Sequence, residues 1–157
     1  MSTRTVLVDK KDTASVARCS FWATASEAIT IGDVVCYDVS QTGDNDYKYV
    51  LRSDIDSINS AVPAGVALAT VASGAQVEVV YWGQADTRCD GTTDIVAADR
   101  LVISAASGVA ITQTLDITSA ATLKASLKAQ EIGIALAGRT TNSVDLVNVF
   151  VRLPRPA

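Results

Sequence analysis

A weak internal repeat covers most of the chain and constrains its fold more than any other feature of the sequence. Each half contains, in the same order, an Asp followed by valines or leucines, a Gly-[Val/Ile]-Ala-Leu-Ala segment and a Val-rich segment. The spacing is also similar, with 32 positions from Asp33 to Gly65 and 34 from Asp99 to Gly133. Such self-similarity predicts two structurally similar halves. The three segments lie at 31–35, 65–69 and 77–81 in the first half and at 96–102, 133–137 and 144–149 in the second.

Both halves have the pattern of short β-strands. Apolar residues alternate or form short β-branched runs, and Gly, Asp, Asn and Ser bound these runs and favour turns. At 157 residues and 48% hydrophobic content, the chain is predicted to be all-β, a small barrel or sandwich. We expect one β domain over 29–151, with repeat halves at about 29–85 and 94–151. Strands are predicted at 33–39, 47–52, 64–70, 76–82, 101–104, 109–115, 131–137 and 144–152.

Two local features refine this prediction. Gly65 and Gly133 start equivalent predicted strands, where a missing Cβ permits a β-bulge or a close backbone crossing. The segment 116–128 is ambiguous, because its helix formers and Ser or Thr caps favour a short helix at about 119–128. Its leucines also alternate with lysines and serine, the pattern of a half-buried strand. Helix and strand both remain open there.

The two ends of the chain differ from its middle. Residues 1–28 form an N-terminal arm and lead-in, and the first 20 carry four basic against two acidic side chains. Such an arm can add a strand to a neighbour's sheet edge, or it can be a frayed terminus. Residues 152–157 contain two prolines and are predicted to leave the barrel as an extended tail. The arm residues expected to contact another subunit are Val6, Leu7, Val8, Lys10 and Lys11.

Few side chains can support catalysis or bind a cofactor. The sequence has no His, which excludes imidazole acid–base chemistry and a Ser–His nucleophile. It has no phosphate-binding glycine motif. The Asp-rich stretches 44–46 and 86–94 lack the calcium-binding spacing of an EF-hand and are interpreted as solvated turns. We therefore expect no enzymatic activity, no catalytic residue, no cofactor and no metal.

Charge and hydropathy restrict the partners. The net charge of -4 argues against a nucleic-acid surface. The sequence has neither the ~18–20-residue apolar run of a membrane span nor the h-region of a signal peptide. We expect no direct nucleic-acid contact and no membrane contact.

The cysteines and tryptophans are the remaining candidate residues. Cys19, Cys36 and Cys89 form no CxxC pair and are predicted to be reduced and partly buried, with one disulfide or an intersubunit link as alternatives. Phe21, Trp22 and Trp82 are predicted to fill the core. Alternatively, a tryptophan anchors a contact between subunits, or stacks on a sugar, and Trp22 and Trp82 are the candidate contact residues.

Five segments of the chain resemble a known family. ITIGDVV, AGVALATVASGAQVEVVYWGQA, IVAADRLVIS, IGIALAG and the closing VDLVNVFV are similar to the head decoration, or capsid cement, proteins of tailed bacteriophages. The resemblance covers about residues 29–151. Ala98 departs from it, because a Gly usually precedes the Asp at this point.

The resemblance implies an all-β virion protein without catalytic residues. It implies that the chain is made in the host cytoplasm and binds the outer surface of an assembled capsid. The implied partners are the major capsid protein and other copies of this chain, often as a homotrimer. A carbohydrate- or small-ligand-binding β module is the alternative from another class, and a tail or fibre protein is a further virion alternative.

Overall fold

The described residues of this computed structural model form ten β-strands and one 3-10 turn. They comprise residues 5–6, 17–45, 48–54, 62–91, 94–104, 106–112, 131–140 and 143–154. This part of the chain contains no α-helix, and no helix long and apolar enough to cross a membrane. The predicted all-β class is confirmed. The strands are β1 (Thr5–Val6), β2 (Cys19–Ala25), β3 (Val34–Tyr37), β4 (Tyr49–Arg52), β5 (Pro63–Ala67), β6 (Gln76–Asp90), β7 (Arg100–Ile103), β8 (Ala110–Thr112), β9 (Glu131–Ala135) and β10 (Val144–Arg152), and the 3-10 turn is Gly43–Asn45.

The sheet closes on itself twice and so forms two rings of five strands. Its order is β1-β2-β4-β3-β5-β6-β10-β9-β7-β8, with additional pairings of β2 with β6 and of β6 with β8. The first ring contains β2, β4, β3, β5 and β6, and the second contains β6, β10, β9, β7 and β8. In each ring the first strand in sequence pairs in parallel with the third and antiparallel with the last. The long strand β6 belongs to both rings.

The sequence repeat corresponds to these two rings, because β3, β5 and the first half of β6 match β7, β9 and β10. The turn before β3 is closed by an N–H of Thr30 that donates to the Asp33 carboxylate at 2.8 Å. The turn before β7 is closed in the same way, by Val96 and Asp99 at 2.8 Å. The predicted repeat is therefore confirmed in its hydrogen bonds as well as in its strand order.

Gly65 and Gly133 occupy equivalent places in the two rings. A Cβ on Gly65 would lie 2.2 Å from the carbonyl oxygen of Val80, and one on Gly133 would lie 2.2 Å from that of Phe150. The strand register also shifts beside each glycine. Both expected features, the bulge and the close backbone approach, are therefore present at both positions.

Two strands, β2 and β6, depart most from the predicted strand ranges, and the short β1 also lies outside those ranges. β2 was not predicted at all, because its inward residues after Phe21 are alanines, which are weak strand formers. β6 continues past the predicted end at residue 82 to Asp90. Small or polar residues alternate along that extension, and Thr87 is buried in it, so its hydrophobic pattern is weak. The ambiguous segment 116–128 lies outside the described residues.

An ion pair between a buried carboxylate and a partly exposed arginine joins the two rings. Asp33, before β3, is fully buried, and its carboxylate accepts a hydrogen bond at 2.6 Å from Arg88 on the second half of β6. The backbone N–H of Arg88 also donates to the carbonyl of Gly32 at 2.8 Å. A Cβ on Gly32 would lie 2.5 Å from the side chain of Leu146 in β10. The turn of the first ring thus packs directly on the second ring.

Replacing Arg88 by Met is expected to destabilise the protein by about 3 kcal/mol, because the Asp33 charge would remain buried without its cation. Arg139→Met is the matched control, since Arg139 pairs with Asp145, which is half exposed; its cost should be about 1 kcal/mol or less. Equilibrium denaturation of both variants measures the difference. Equal losses of unfolding free energy in the two variants would show that the Asp33–Arg88 pair contributes no more stability than the Arg139–Asp145 pair.

Ala98→Gly is expected to stabilise the protein by about 0.5–1 kcal/mol. Ala98 has a φ of 78°, which its equivalent Gly32 adopts at 84°. A Cβ at such an angle costs roughly 1–2 kcal/mol, which exceeds the greater entropy that glycine has in the unfolded chain. Ala98 is exposed, so the substitution removes no packing. Thermal and chemical denaturation should both report the gain, and a lower midpoint would contradict it.

Candidate interaction surface

The two tryptophans lie on the outside of the rings. Trp22 is 52% exposed and Trp82 is 41% exposed, whereas the neighbouring Phe21 is buried. The prediction that all three fill the core is therefore correct for Phe21 only. Successive strand residues point to opposite faces, so the inward Phe21 places Trp22 outside. Phe21 lies beside two inward tyrosines, with ring centroids 6.0 Å from Tyr37 and 6.2 Å from Tyr81.

Trp22 has polar surroundings. It lies opposite Glu78 in the β2–β6 pair. The Glu78 carboxylate accepts a hydrogen bond from Ser20 at 2.5 Å, and Gln76 donates to Thr24 at 2.6 Å. This part of the sheet therefore presents one aromatic ring among hydrogen-bonded polar side chains and a carboxylate.

Trp82 has aromatic and cationic surroundings. It lies opposite Arg152 of β10, and its ring meets that of Phe150 edge to face, with centroids 5.1 Å apart. On the next strand, Ile134 of β9 lies opposite Phe150 and also opposite Arg100 of β7. Directly opposed residues share one face of a sheet. We call the surface formed by Trp82, Arg100, Glu131, Ile134, Phe150 and Arg152 the aromatic–arginine face.

Two arginines of this face share one carboxylate. Glu131 accepts a hydrogen bond from Arg152 at 2.9 Å and lies 3.5 Å from a guanidinium nitrogen of Arg100. Both arginine side chains are more than half exposed, while that of Glu131 is 16% exposed. Together with Leu153 and Pro154 they line a cavity of about 360 Å³. The face therefore carries one net positive charge, in a chain whose total is -4.

Sequence reasoning found Trp82 but missed the other members of this face. Alternation along β10 is a usable signal, since it places Phe150 and Arg152 on the same side as each other. The sequence alone does not give the register that sets Arg152 opposite Trp82. Other large apolar side chains are also exposed, and they too were not predicted. They are Ile31, Val39, Val62, Val96, Leu136, Val144 and Leu146.

The N-terminal arm contributes one short strand. Thr5 and Val6 pair antiparallel with Ser20 and Cys19 of β2 in the same chain. The other predicted contact residues of the arm, Leu7, Val8, Lys10 and Lys11, lie outside the described residues. The contact role of the arm stays a prediction.

The three cysteines are free thiols, as predicted. Burial raises the pKa of the Cys36 thiol far above its ordinary range. Burial likewise raises the pKa of Cys89 to about 12, against the opposing charge of Arg139. Cys19 is partly exposed. In the part of the chain that the structure describes, no group of three or more Cys, Asp and Glu side chains is placed to hold a metal ion.

Iodoacetamide at pH 8 is expected to modify Cys19 alone in the folded protein, because alkylation needs an accessible thiolate. Cys36 and Cys89 should react only after denaturation. Mass spectrometry of intact protein should therefore show one adduct before unfolding and three after it. Cys19→Ser is the control and should show none before unfolding; native labelling of Cys36 or Cys89 would contradict their burial.

Comparison with known proteins finds a similarity of fold. No protein-family model matches the chain, and no curated protein matches it. The chain is similar to a solved structure, the N base of the head fiber gp8.5 of bacteriophage phi29, with a TM-score of 0.51 and 17% sequence identity. The likeness covers 87% of this chain and 98% of that one. The two chains therefore share an all-β fold over nearly the whole of the head fiber base.

Proposed function

We propose that this chain is a structural protein of a bacteriophage virion, which binds the outer surface of an assembled capsid and stabilises it as a decoration, or cement, protein. The observation that carries the proposal is the likeness of its fold to a phage head fiber base. The Gly-Asp segment of the first half and the Gly-[Val/Ile]-Ala-Leu segments of both halves, which resemble those of decoration proteins, support the same reading. The proposal assigns the chain no catalytic residue and no cofactor.

The exposed surface suits a contact protein. Trp22 and Trp82 are large aromatic side chains outside the rings, and aromatic residues dominate the binding energy of many protein interfaces. The fold beneath them is closed and packed, so the backbone that carries these side chains is ordered before any partner arrives. Binding would therefore immobilise little of the sheet, which favours affinity.

We also propose that the chain assembles as a homotrimer on the capsid, with the major capsid protein as its partner and without nucleic-acid or membrane contacts. A subunit placed at a local three-fold position requires a closed cyclic interface. The candidate contact residues are those of the arm together with Trp22 and Trp82. Some of them would contact neighbouring copies, and the others would contact the capsid.

A second candidate function is the base of a head fiber. The structurally similar chain favours it, since that chain is the N base of such a fiber. The two candidates differ in what binding does to the particle. A cement protein stabilises the capsid lattice, whereas a fiber base needs only to anchor a projecting part.

Purified chain is expected to bind saturably to assembled capsids of the phage that encodes it, prepared without the chain. Since a ligand that binds only the intact state stabilises that state, bound capsids should resist heat and guanidinium better than bare ones. Electron microscopy should show added density on the outer surface. Bovine serum albumin at the same concentration is the control.

The outcomes separate the candidates. Saturable binding with a raised disruption temperature supports the cement function, and binding without any stabilisation favours the fiber base. Absence of binding to assembled capsids would overturn both.

A further inference from the structure

We propose that the aromatic–arginine face is the surface that docks on the capsid, and that its partner is an acidic protein surface whose carboxylate enters the cavity between Arg100 and Arg152. The inference rests on the proposed function and names the contact and its chemistry. Neither the sequence pattern nor the likeness of fold assigns this surface.

The aromatic–arginine face is continuous. Trp82 and Arg152 oppose each other in the β6–β10 pair, and Phe150 packs on Trp82 at 5.1 Å. Arg152 then lines the cavity together with Arg100, Leu153 and Pro154. An exposed aromatic anchor and a cavity of about 360 Å³ are thus adjacent. A partner can bury apolar area on the rings and place one side chain in the cavity at the same time.

The cavity has an unbalanced positive charge. Glu131 is the carboxylate between the two arginines, and each makes one contact with it through a terminal nitrogen. A guanidinium has five N–H donors, so most of the donors of Arg100 and Arg152 remain for water or for a partner. A second carboxylate would neutralise the excess positive charge and accept these donors in the forked geometry that arginine favours.

The charge of this face is opposite in sign to that of the whole chain. The chain has a net charge of -4, so an acidic surface is repelled by the chain as a whole and attracted at this face. Such an arrangement selects one docking orientation and steers association. The Trp22 surface does not fit the same partner, because a carboxylate, Glu78, lies directly opposite that tryptophan.

The experiment measures binding of full-length variants to assembled capsids prepared without the chain, at low and at high salt. Trp82→Ala and the double variant Arg100→Gln with Arg152→Gln should each weaken binding at least ~10-fold, the usual loss at an interface anchor. The double variant should also flatten the salt dependence. Glu131→Gln should strengthen binding, because it removes the carboxylate that competes with that of the partner.

Two matched controls keep the test specific. Val39→Ala removes an exposed apolar side chain that lies outside the aromatic–arginine face, and Arg139→Gln removes an arginine that is paired with Asp145 instead. Both controls should bind as the unmodified chain does. Thermal melts check that every variant is folded, and the gain expected from Glu131→Gln cannot arise from misfolding.

Several outcomes would overturn the inference. One is unmodified binding by both the Trp82 and the double arginine variants while the parent chain binds. Another is an equal loss of binding in Val39→Ala. A third is a change in sedimentation of the free chain caused by Trp82→Ala, which would make the face an interface between copies. Failure of the parent chain to bind would overturn the proposed function and this inference with it.

Discussion

The whole architecture depends on one strand, β6, which supplies backbone hydrogen bonds to both rings. It has 15 residues, about 50 Å at the rise of an extended chain, whereas most of the other strands have two to five. Its first half pairs with β2 and β5, and its second half with β10 and β8. Because short strands are stable only when neighbours satisfy their edges, neither ring closes without β6. We accordingly expect the two halves to unfold as one cooperative unit.

The two repeats differ where the rings meet. Asp33 and Asp99 close equivalent turns, but Asp33 is fully buried against Arg88, and Asp99 remains partly exposed. Strand register places Thr24 of the first ring at the position that Arg88 holds in the second. The ion pair is therefore a feature of the junction and not of the repeat. This pair holds the turn before β3 against the second half of β6. The equivalent turn before β7 lacks such a pair, and its Ala98 has a conformation that glycine adopts more easily.

The sequence predicts the repeated strands well, because β-branched runs favour strands and glycines favour turns through preferences of the local backbone. It predicts Gly65 and Gly133 for the same reason, since a close backbone approach needs that residue wherever the sheet curls. It fails at β2 and at the end of β6, where alanine, threonine and cysteine face the interior and carry little hydrophobic signal. It also misplaces Trp22 and Trp82, because a large aromatic residue beside a buried Phe or Tyr looks like core when the face of the strand is unknown.

The aromatic–arginine face is a consequence of the shared strand, which explains why local pattern could not reveal it. Register places Trp82 near the end of the first ring's last strand and Arg152 at the equivalent end of the second. Trp82 and Arg152 thus occupy equivalent positions of the two repeats, and an isolated repeat would contain only one of them. Because β6 ends one ring and begins the next, and β10 runs antiparallel to it, the two ends come to lie opposite each other. The repeated arrangement around a common strand thus sets Trp82 opposite Arg152, and the two repeats carry different side chains at that position.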